Sequence, residues 1–419
     1  MELSWSKIQD AKEFLNQFSL NKAKENQEAL NKVMEILNNV RENGDAALFS
    51  YAEQFDGQKL NSFKVPEEWL EQSYLSLDPE LREALEFIKK RIENYEKQIK
   101  YQDKELDEFK YVYHPIERVG FYIPGGKALY PSTVLMSIIA AQVAGVPEIY
   151  AVTPTYEMNN VTFATLYICG VKNVYRIGGA QAIAALAYGT ESIPKVDKIV
   201  GPGNTYVALA KRLVFGEVGI DSIAGPSEIL IYIDEQVDPE SIILDIFAQA
   251  EHDPEAKTFL LAENQEILEK VRNLILQKWN EQERSAIIEK SLNHHHYSIL
   301  GERQDLIAVI NKIASEHVSI QHQAADEIIP QIKYAGAIFN GSYSPEAIGD
   351  YVAGPSHVLP TNGNARYSHG LNVNDFMTSH AIINIAPETY QDIAGYGVKV
   401  AEAEGLFAHA GSLKIRIKD

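Results

Sequence analysis

Gln249 and His252 place an amide and an imidazole three residues apart, near the end of a predicted helix. The apolar residues 242 to 248 form the preceding helix face, and side chains three positions apart on a helix point in one direction. The two groups can therefore contact one object, whereas Glu251 lies on another face and is interpreted as a helix-surface residue. Amide oxygen and imidazole nitrogen both coordinate metal ions in proteins.

Three further stretches pair an imidazole with a carboxylate. They are Glu316 with His317, Asp350 with His357, and Glu404 with His409. Imidazole, carboxylate and amide groups together would build a zinc site without thiolates, and such a site would be open and Lewis-acidic or hydrolytic. The spacing alone is weak evidence, because the chain has no H-E-x-x-H motif and an isolated histidine is more often a capping or surface residue.

The composition is that of a globular protein with two or more domains. The 419 residues are 45% apolar and 23% charged, and the formal net charge of −20 argues against nucleic acid or an anionic membrane as the main partner. Cys169 is the single cysteine, which excludes an intrachain disulfide; we interpret it as a buried packing residue. The chain shows neither a signal pattern nor an apolar run of about 18 residues, so we expect a cytoplasmic protein.

Short apolar runs alternate with helical stretches from about Val119 onward, as they do in βαβ units. Seven runs are predicted to be strands: residues 119–123, 148–153, 173–177, 198–200, 229–233, 259–261 and 337–339. The first hundred residues have helical periodicity instead, with Gly44 as a helix end. We therefore predict an α/β protein with two doubly wound, Rossmann-like parallel-sheet domains and small helical pieces at both termini.

Two stretches lie outside this alternation. From about residue 371 the chain is predicted to form a strand, a helix and a last strand at residues 412–417. The consecutive histidines His294, His295 and His296 are interpreted as a solvated loop, because adjacent side chains diverge and rarely hold one metal ion.

Four glycine-containing turns lie where parallel strands are predicted to end: residues 124–126, 178–181, 201–204 and 225–227. Open α/β sheets bind ligands outside the carboxyl ends of their strands, and glycine lets backbone N–H groups approach a ligand. Any single turn can be explained by tight-turn geometry alone. None of them matches the G-x-G-x-x-G or G-x-x-x-x-G-K-[ST] fingerprint, so a dinucleotide would have to bind in a less common manner.

Long segments of the chain resemble the histidinol dehydrogenase family. They are residues 120–126 (GFYIPGG), 178–187 (GGAQAIAALA), 195–204 (KVDKIVGPGN), 224–228 (AGPSE), 249–252 (QAEH), 315–317 (SEH), 349–351 (GDY), 357–361 (HVLPT) and 404–409 (EGLFAH). Their order and spacing fit the family over essentially the whole chain, and several are too long and too specific in composition to match by chance.

The resemblance implies an NAD-dependent, four-electron alcohol dehydrogenase. Such an enzyme oxidises L-histidinol to L-histidine through L-histidinal, the last steps of histidine biosynthesis. One zinc ion per site is implied, held by Gln249, His252, Asp350 and His409, with His409 coming from the other subunit of a homodimer. Substrate contacts are implied for these four ligands and for Ser227, His317, His357 and Glu404. NAD contacts are implied for Tyr122, Gln181 and Asn204.

Glu316 and His317 match the family's acid–base pair. An imidazole can remove a hydroxyl proton near neutral pH, and a carboxylate can activate the water that an aldehyde must take up before a second oxidation. We expect an N-terminal arm at residues 1–20, a first α/β domain from 21–120 with 228–370, a second domain on the NAD-binding side at 121–227, and a C-terminal dimerisation segment at 371–419.

Two alternatives stay open at this point. The first is a dehydrogenase of the same family that acts on another small amino alcohol or diol, although Ser227, His357 and Glu404 match the histidinol type. The second is a zinc hydrolase or metal-binding scaffold that needs no nicotinamide. The glycine turns, together with Tyr122, Gln181 and Asn204, argue against this second alternative.

Overall fold

The computed structural model describes residues 8–18, 27–125, 130–158, 160–223 and 225–418. The chain divides into two compact units. The first contains Met1–Ile99 and Ile116–Phe376, and the second contains Lys100–Pro115 and Met377–Asp419. Residues 1–7 and 19–20 of the expected N-terminal arm, Gly126 of the first glycine turn, and Ala224 lie outside the described residues.

Fourteen strands are present in the described part of the chain. In chain order they are β1 Ile8–Asp10, β2 Lys104–Leu106, β3 Phe109–Pro115, β4 Arg118–Tyr122, β5 Glu148–Val152, β6 Asn173–Tyr175, β7 Lys198–Val200, β8 Gly219–Ile220, β9 Glu228–Ile233, β10 Lys257–Ala262, β11 His296–Leu300, β12 His317–Gln321, β13 Ala337–Asn340 and β14 Met377–Ile383. They form sheets of six, five and three strands.

Sixteen α-helices are present in the same ranges. In chain order they are α1 Ala11–Gln17, α2 Gln27–Asp56, α3 Glu67–Leu75, α4 Pro79–Ile99, α5 Pro131–Ala144, α6 Val161–Ile168, α7 Gly179–Tyr188, α8 Thr205–Val214, α9 Pro239–Ala250, α10 Gln265–Lys278, α11 Ser285–His295, α12 Arg303–Ile313, α13 Ala325–Ile328, α14 Glu346–Tyr351, α15 Pro387–Ala403 and α16 Phe407–Lys414. Gly44 interrupts α2 with a φ of +50°, which agrees with its prediction as a helix end.

The five-stranded sheet of the first unit is parallel and has the strand order β6-β5-β4-β7-β8. The chain begins at the central strand β4, winds outward to β6, and returns to β7 on the other side, which is a doubly wound arrangement. Apolar side chains of α2, α7 and α8 pack against one face. The winding reverses between β4 and β7, the position at which such sheets bind ligands.

The six-stranded sheet of the first unit is also parallel, with the order β1-β11-β10-β9-β12-β13. Strands β9 to β13 repeat the same winding around β9, and β1 is added at one edge. Ile229 and Ile231 face α9 and α10, whereas Leu230 and Tyr232 face α1 and α12. Because both faces are covered, β9 is apolar throughout its centre.

The predicted α/β fold with two doubly wound parallel sheets is therefore confirmed. All seven predicted strands are present, with ends that differ from the expected ones by no more than two residues. Strands β11 and β12 were not predicted. Their sequences, H-Y-S-I-L and H-V-S-I-Q, mix polar and apolar residues over only five positions.

The prediction of a solvated loop at His294 to His296 is wrong. Helix α11 ends at His295 and strand β11 begins at His296, whose side chain is buried. The His296 ring lies between Thr258 Oγ1, at 2.8 Å from Nδ1, and Ser298 Oγ, at 3.0 Å from Nε2. These two hydroxyl groups satisfy both ring nitrogens, so a neutral imidazole can lie inside the core.

The prediction of a last strand at residues 412–417 is also wrong. This segment contains the end of α16 and a turn. Its alternating apolar residues Leu413, Ile415 and Ile417 imitate a strand, but Leu413 packs against Val398 and Ala401 of α15. Strand β14 and helix α15, by contrast, are present in this part of the chain as predicted.

The second unit contains β2, β3 and β14, which form an antiparallel sheet of order β14-β3-β2, and the helices α15 and α16. The expected domain boundaries stay a prediction, and one packing detail bears on them. Helix α2, which we grouped with the six-stranded sheet, packs its apolar face against α7 and α8 of the five-stranded sheet. None of the described helices is both long enough and apolar enough to cross a membrane.

Burial lowers the pKa of His296 to about 4, from an ordinary 6.5. Between pH 6.5 and 4 the unfolded chain therefore binds more protons at this residue than the folded chain, so stability falls as the pH falls through this window. On acidification the free energy of unfolding should fall by up to roughly 3 kcal/mol less in His296→Gln than in the wild type, because glutamine does not bind a proton in this pH range. Urea unfolding of both proteins at pH 7 and pH 4 measures the difference, and equal losses in the two proteins would contradict the assignment.

Candidate active site

Polar residues gather where the carboxyl edge of the five-stranded sheet approaches the amino edge of the six-stranded sheet. Three of the four glycine turns follow β4, β6 and β7 at the carboxyl edge, as predicted. The fourth, at residues 225–227, leads into the amino end of β9. Gly225 N–H donates to Thr361 Oγ1 at 2.7 Å, which fixes this turn to the loop after α14.

His317 is the first residue of β12 and is only 4% exposed. It pairs with Ile229 in the parallel register of β9 and β12, so its side chain lies on the face covered by α9. Its Nδ1 lies 3.1 Å from the Glu228 carbonyl oxygen. Its Nε2 is buried without a hydrogen-bond partner among the described residues.

Glu316 lies beside His317 and is held by hydrogen bonds from its surroundings. Its Oε2 accepts the Glu228 N–H at 2.9 Å, and the Ser227 hydroxyl also donates to its carboxylate. Both of these bonds lower the pKa of Glu316, but burial and the carboxyls of Glu228 and Asp350 raise it further, so the net pKa lies well above its ordinary value. The side chain is thus fixed in place while its charge is disfavoured.

Gln249 lies in the last turn of α9, and His252 lies just beyond the end of this helix. Gln249 is completely buried, and neither Oε1 nor Nε2 of its amide has a hydrogen-bond partner among the described residues. His252 follows one turn later, and its charge helps to lower the pKa of both His317 and His357, which places all three imidazoles in one neighbourhood.

Asp350 and His357 come from α14 and from the loop that follows it. Asp350 Oδ1 lies 3.9 Å from His317 Nε2 and 3.9 Å from His357 Nδ1. His357 Nδ1 also lies 3.1 Å from the Asp350 carbonyl oxygen, and its Nε2 lies 2.9 Å from Thr133 Oγ1 of α5. Because α5 follows β4, His357 connects the two sheet edges.

Burial dominates the electrostatics of this cluster. It lowers the pKa of His317 to about 3 and that of His357 to about 4, so both imidazoles are neutral at pH 7. It raises the pKa of Asp350 to about 6. Neutral imidazoles therefore lie close to carboxyl groups whose ionisation is disfavoured by burial. A divalent cation would stabilise this arrangement, because metal binding requires the deprotonated forms of both groups.

The donor groups fit a zinc ion. Gln249, His252 and Asp350 offer an amide oxygen, an imidazole nitrogen and a carboxylate oxygen, and the unpaired buried amide of Gln249 is explained if a metal ion binds it. A second group of possible ligands is formed by His317, Glu346 and Asp350, whose potential ligand atoms lie within 4.8 Å of one another. Asp350 is common to both groups.

The three residues expected to contact NAD lie at the carboxyl edge of the five-stranded sheet. Tyr122 ends β4, and its buried hydroxyl accepts the Gly179 N–H at 3.2 Å. Gln181 is buried in the first turn of α7, and Asn204 caps α8 by accepting the Tyr206 and Val207 N–H groups. The cap gives Asn204 a structural task that does not depend on a ligand.

Gly201 brings β4 and β7 close together at this edge. Its φ of +127° is rarely adopted by other residues, and a Cβ atom there would lie 2.0 Å from the Tyr122 carbonyl oxygen. The turn therefore requires glycine for its own backbone geometry, as well as for any ligand that approaches it.

Glu404 and His409 belong to the second unit. Glu404 follows the end of α15, His409 lies on α16, and both are exposed. The expected ligand set is thus divided between the units, with Gln249, His252 and Asp350 in the first and His409 in the second.

Comparison with known proteins identifies the family. A histidinol dehydrogenase family profile matches residues 20–417. The chain belongs to the histidinol dehydrogenase family. Histidinol dehydrogenase of Staphylococcus epidermidis is 48% identical over 412 residues, which covers 97% of this chain and 99% of that protein.

Two further histidinol dehydrogenases support this membership. That of Staphylococcus aureus is 45% identical over 414 residues and is covered to 99%. The crystal structure of histidinol dehydrogenase from Elizabethkingia anophelis is 33% identical and superposes with a TM-score of 0.91, over 97% of this chain and 95% of that one. The chain is thus an oxidoreductase of the histidinol dehydrogenase family, with the fold of that crystal structure.

Glu346 and Glu228 also belong to the polar cluster around His317, and neither was predicted from the sequence as a site residue. Glu346 is buried, with Oε1 3.4 Å from His317 Nδ1, and Glu228 is buried and paired with Lys257 at 2.8 Å. A signal for Glu346 was present, because it lies four residues before Asp350 and thus on the same face of α14. Glu228 could not be found in this way, since it acts through its backbone groups.

We expect Gln249→Leu to raise the stability of the metal-free protein by roughly 1 to 3 kcal/mol, because it removes an unpaired buried amide. The same change should reduce the rise in melting temperature that zinc produces, since a ligand is lost. Calorimetry with and without zinc measures both effects.

Gln321→Leu is the matched control for Gln249→Leu. The Gln321 amide donates to Ser319 Oγ and to the Gly341 carbonyl oxygen, both at 3.0 Å, so its loss should lower stability and leave the zinc effect unchanged. A destabilised Gln249→Leu protein with an undiminished response to zinc would show that Gln249 is not a ligand.

Proposed function

We propose that this chain oxidises L-histidinol to L-histidine through L-histidinal, with two molecules of NAD, in the last steps of histidine biosynthesis. One observation carries the proposal: the buried, unpaired Nε2 of His317, which lies 3.9 Å from Asp350 and close to His252. A neutral imidazole with a free nitrogen, placed among metal-binding groups, is what the deprotonation of a bound alcohol requires.

His317 is proposed as the base of the first oxidation. Its imidazole is neutral at pH 7 because burial lowers its pKa to about 3, so Nε2 is free to accept the hydroxyl proton. NAD, as the co-substrate, would take the hydride from the same carbon atom. The proton and the hydride leave together, and an aldehyde remains.

Glu316 is proposed to activate water for the second oxidation. Its carboxyl is fixed by the Glu228 N–H and by Ser227, while its pKa is raised, so it can take a proton from a water molecule that adds to the aldehyde. The hydrate then loses a second hydride and becomes the carboxylic acid. Holding the aldehyde in one site between the two steps protects it from side reactions.

Zinc would be held by Gln249, His252, Asp350 and His409. When bound, it would orient the amine and imidazole of the substrate and polarise the reacting oxygen. Ser227, His357 and Glu404 are proposed as further substrate contacts, with His317. These residues favour L-histidinol over another small amino alcohol or diol, the alternative within the family.

NAD is proposed to bind at the carboxyl edge of the five-stranded sheet, against Tyr122, Gln181 and Asn204. The reversal of winding between β4 and β7 and the close approach at Gly201 support this placement. The absence of the usual glycine fingerprint from the sequence suggests contacts through side chains at the ends of α7 and α8 rather than through a phosphate loop.

Zinc-loaded protein should form two NADH for each L-histidine, and none with NAD and water alone. Glu316→Gln keeps an oxygen that can accept the Glu228 N–H, so the site should stay intact while water activation is lost. We expect this variant to slow aldehyde oxidation by roughly 100-fold or more and to leave the first hydride transfer much less affected. Single-turnover absorbance at the NADH band separates the steps.

Two results would count against this proposal. If the wild-type protein forms no NADH from L-histidinol in the presence of zinc, the substrate is wrong. If Glu316→Gln slows both steps equally, the separate role of Glu316 is wrong, and His317 would have to serve both half-reactions.

The site is further proposed to be shared in a homodimer, with His409 supplied by the partner subunit. His409→Ala and Asp350→Ala should each be inactive as pure proteins and should lose zinc. Subunits mixed by reversible unfolding would form hybrid dimers in which one of the two sites is complete, so we expect about a quarter of the wild-type activity to return. Elemental analysis and NADH formation measure the two effects, and a mixture as inactive as its components would argue against a shared site.

A further inference from the structure

Glu346 is a buried carboxyl for which the roles proposed above give no task. It is the first residue of α14 and is 3% exposed. Its Oε1 lies 3.4 Å from His317 Nδ1, and its Oε2 is buried without a hydrogen-bond partner among the described residues. A carboxyl in such a place costs free energy, so its position against the imidazole needs an explanation.

The contacts of His317 divide between its two ring nitrogens. Two acceptors, the Glu228 carbonyl oxygen and Glu346 Oε1, lie 3.1 and 3.4 Å from Nδ1. These acceptors favour a proton on Nδ1. The lone pair is then on Nε2, which is the nitrogen directed toward Asp350. The tautomer of a histidine is set by the hydrogen bond that its other nitrogen makes.

We infer that Glu346 is a positioning residue for His317, an inference that rests on the function proposed above. Glu346 holds the ring in one orientation and one tautomer through Nδ1. It also stabilises the imidazolium that exists after the hydroxyl proton has moved to Nε2, while the hydride leaves for NAD. Glu346 itself forms no bond to the substrate and neither gains nor loses electrons. A carboxylate behind a catalytic imidazole acts in this way in hydrolases.

The groups around Glu346 argue against a purely structural role, because they make a buried carboxylate costly in free energy. Burial raises the pKa of Glu346 well above its ordinary value, and the carboxyls of Asp350, Glu316 and Asp245 raise it further. A carboxyl that served only to pack α14 against α9 would be more stable as an apolar side chain of the same size. Oε1 of Glu346 lies 3.4 Å from Nδ1 of His317, a contact that would stabilise the carboxylate once the ring is protonated.

Glu346→Gln tests the inference, because it keeps size and one acceptor oxygen but removes the charge. We expect kcat with L-histidinol to fall roughly 10- to 100-fold, KM to change less than about threefold, and zinc content to stay at the wild-type level. Glu346→Asp keeps the charge on a shorter side chain and should recover part of the lost kcat. Asp245→Asn removes a half-buried carboxyl that acts on the pKa of Glu346, and it should leave kcat within about threefold of wild type.

Each outcome decides one point. An unchanged kcat in Glu346→Gln, beside an active wild type, overturns the inference and leaves the proposed function intact. Loss of zinc from Glu346→Gln also overturns it, in favour of direct ligation through the group of His317, Glu346 and Asp350. If Glu346→Gln melts at a lower temperature, recovery by Glu346→Asp supports a role for the charge, and no recovery overturns it. A wild type that forms no NADH overturns both the proposed function and the inference.

Discussion

The pairing of strands β9 and β12 fixes the positions of Glu316 and His317. In this register His317 lies opposite Ile229, and the backbone of Glu228 serves both catalytic candidates at once. Its N–H holds Glu316 and its carbonyl oxygen faces His317 Nδ1. A shift by one residue would turn His317 toward the opposite face, under α12, and away from the face that α9 covers. The proposed roles of Glu316 and His317 therefore depend on the same hydrogen bonds that hold the six-stranded sheet together.

That arrangement has an electrostatic cost, which the surrounding apolar cores offset. Glu228, Glu316 and Glu346 are all buried, and the pKa of each is raised chiefly by burial. Apolar residues cover both faces of the adjoining sheet, so the protein can keep these groups in place without water around them. Buried polar groups of this kind are expected at functional sites, where chemistry rather than stability selects the residue types.

Much of the fold could be predicted because the seven apolar runs and the glycine turns are local signals. Strand β12 could not, since H-V-S-I-Q resembles a surface segment until the sheet buries it. The histidines at 294–296 were predicted wrongly for a similar reason. A buried His296 becomes acceptable through the hydroxyl of Thr258, which is far away in sequence, and that of Ser298, two residues further along β11. The segment 412–417 alternates like a strand, but packing against α15 decides its conformation.

Within the site, the sequence patterns indicate which residue types are present better than they indicate where the fold places them. Gln249 lies in the last turn of α9 and His252 lies just beyond its end, and their shared metal ion stays a prediction. Helical spacing would also have found Glu346 from Asp350. No pattern in the chain reveals that the amino end of a parallel strand would carry the central imidazole, because ligands of such sheets normally lie at the opposite end.

Under the proposed function, opposite edges of two similar sheets would contribute different groups to one reaction centre. The residues proposed to recognise the nicotinamide carrier lie on one sheet, and those of the first unit proposed to transform the alcohol lie mainly at the other, whereas Glu404 and His409 belong to the second unit. Away from the Thr133–His357 contact, substitutions on one side would leave the other side in place, so a relative could acquire a new alcohol substrate and keep its electron acceptor. Such an arrangement would let substrate specificity evolve apart from the choice of redox partner.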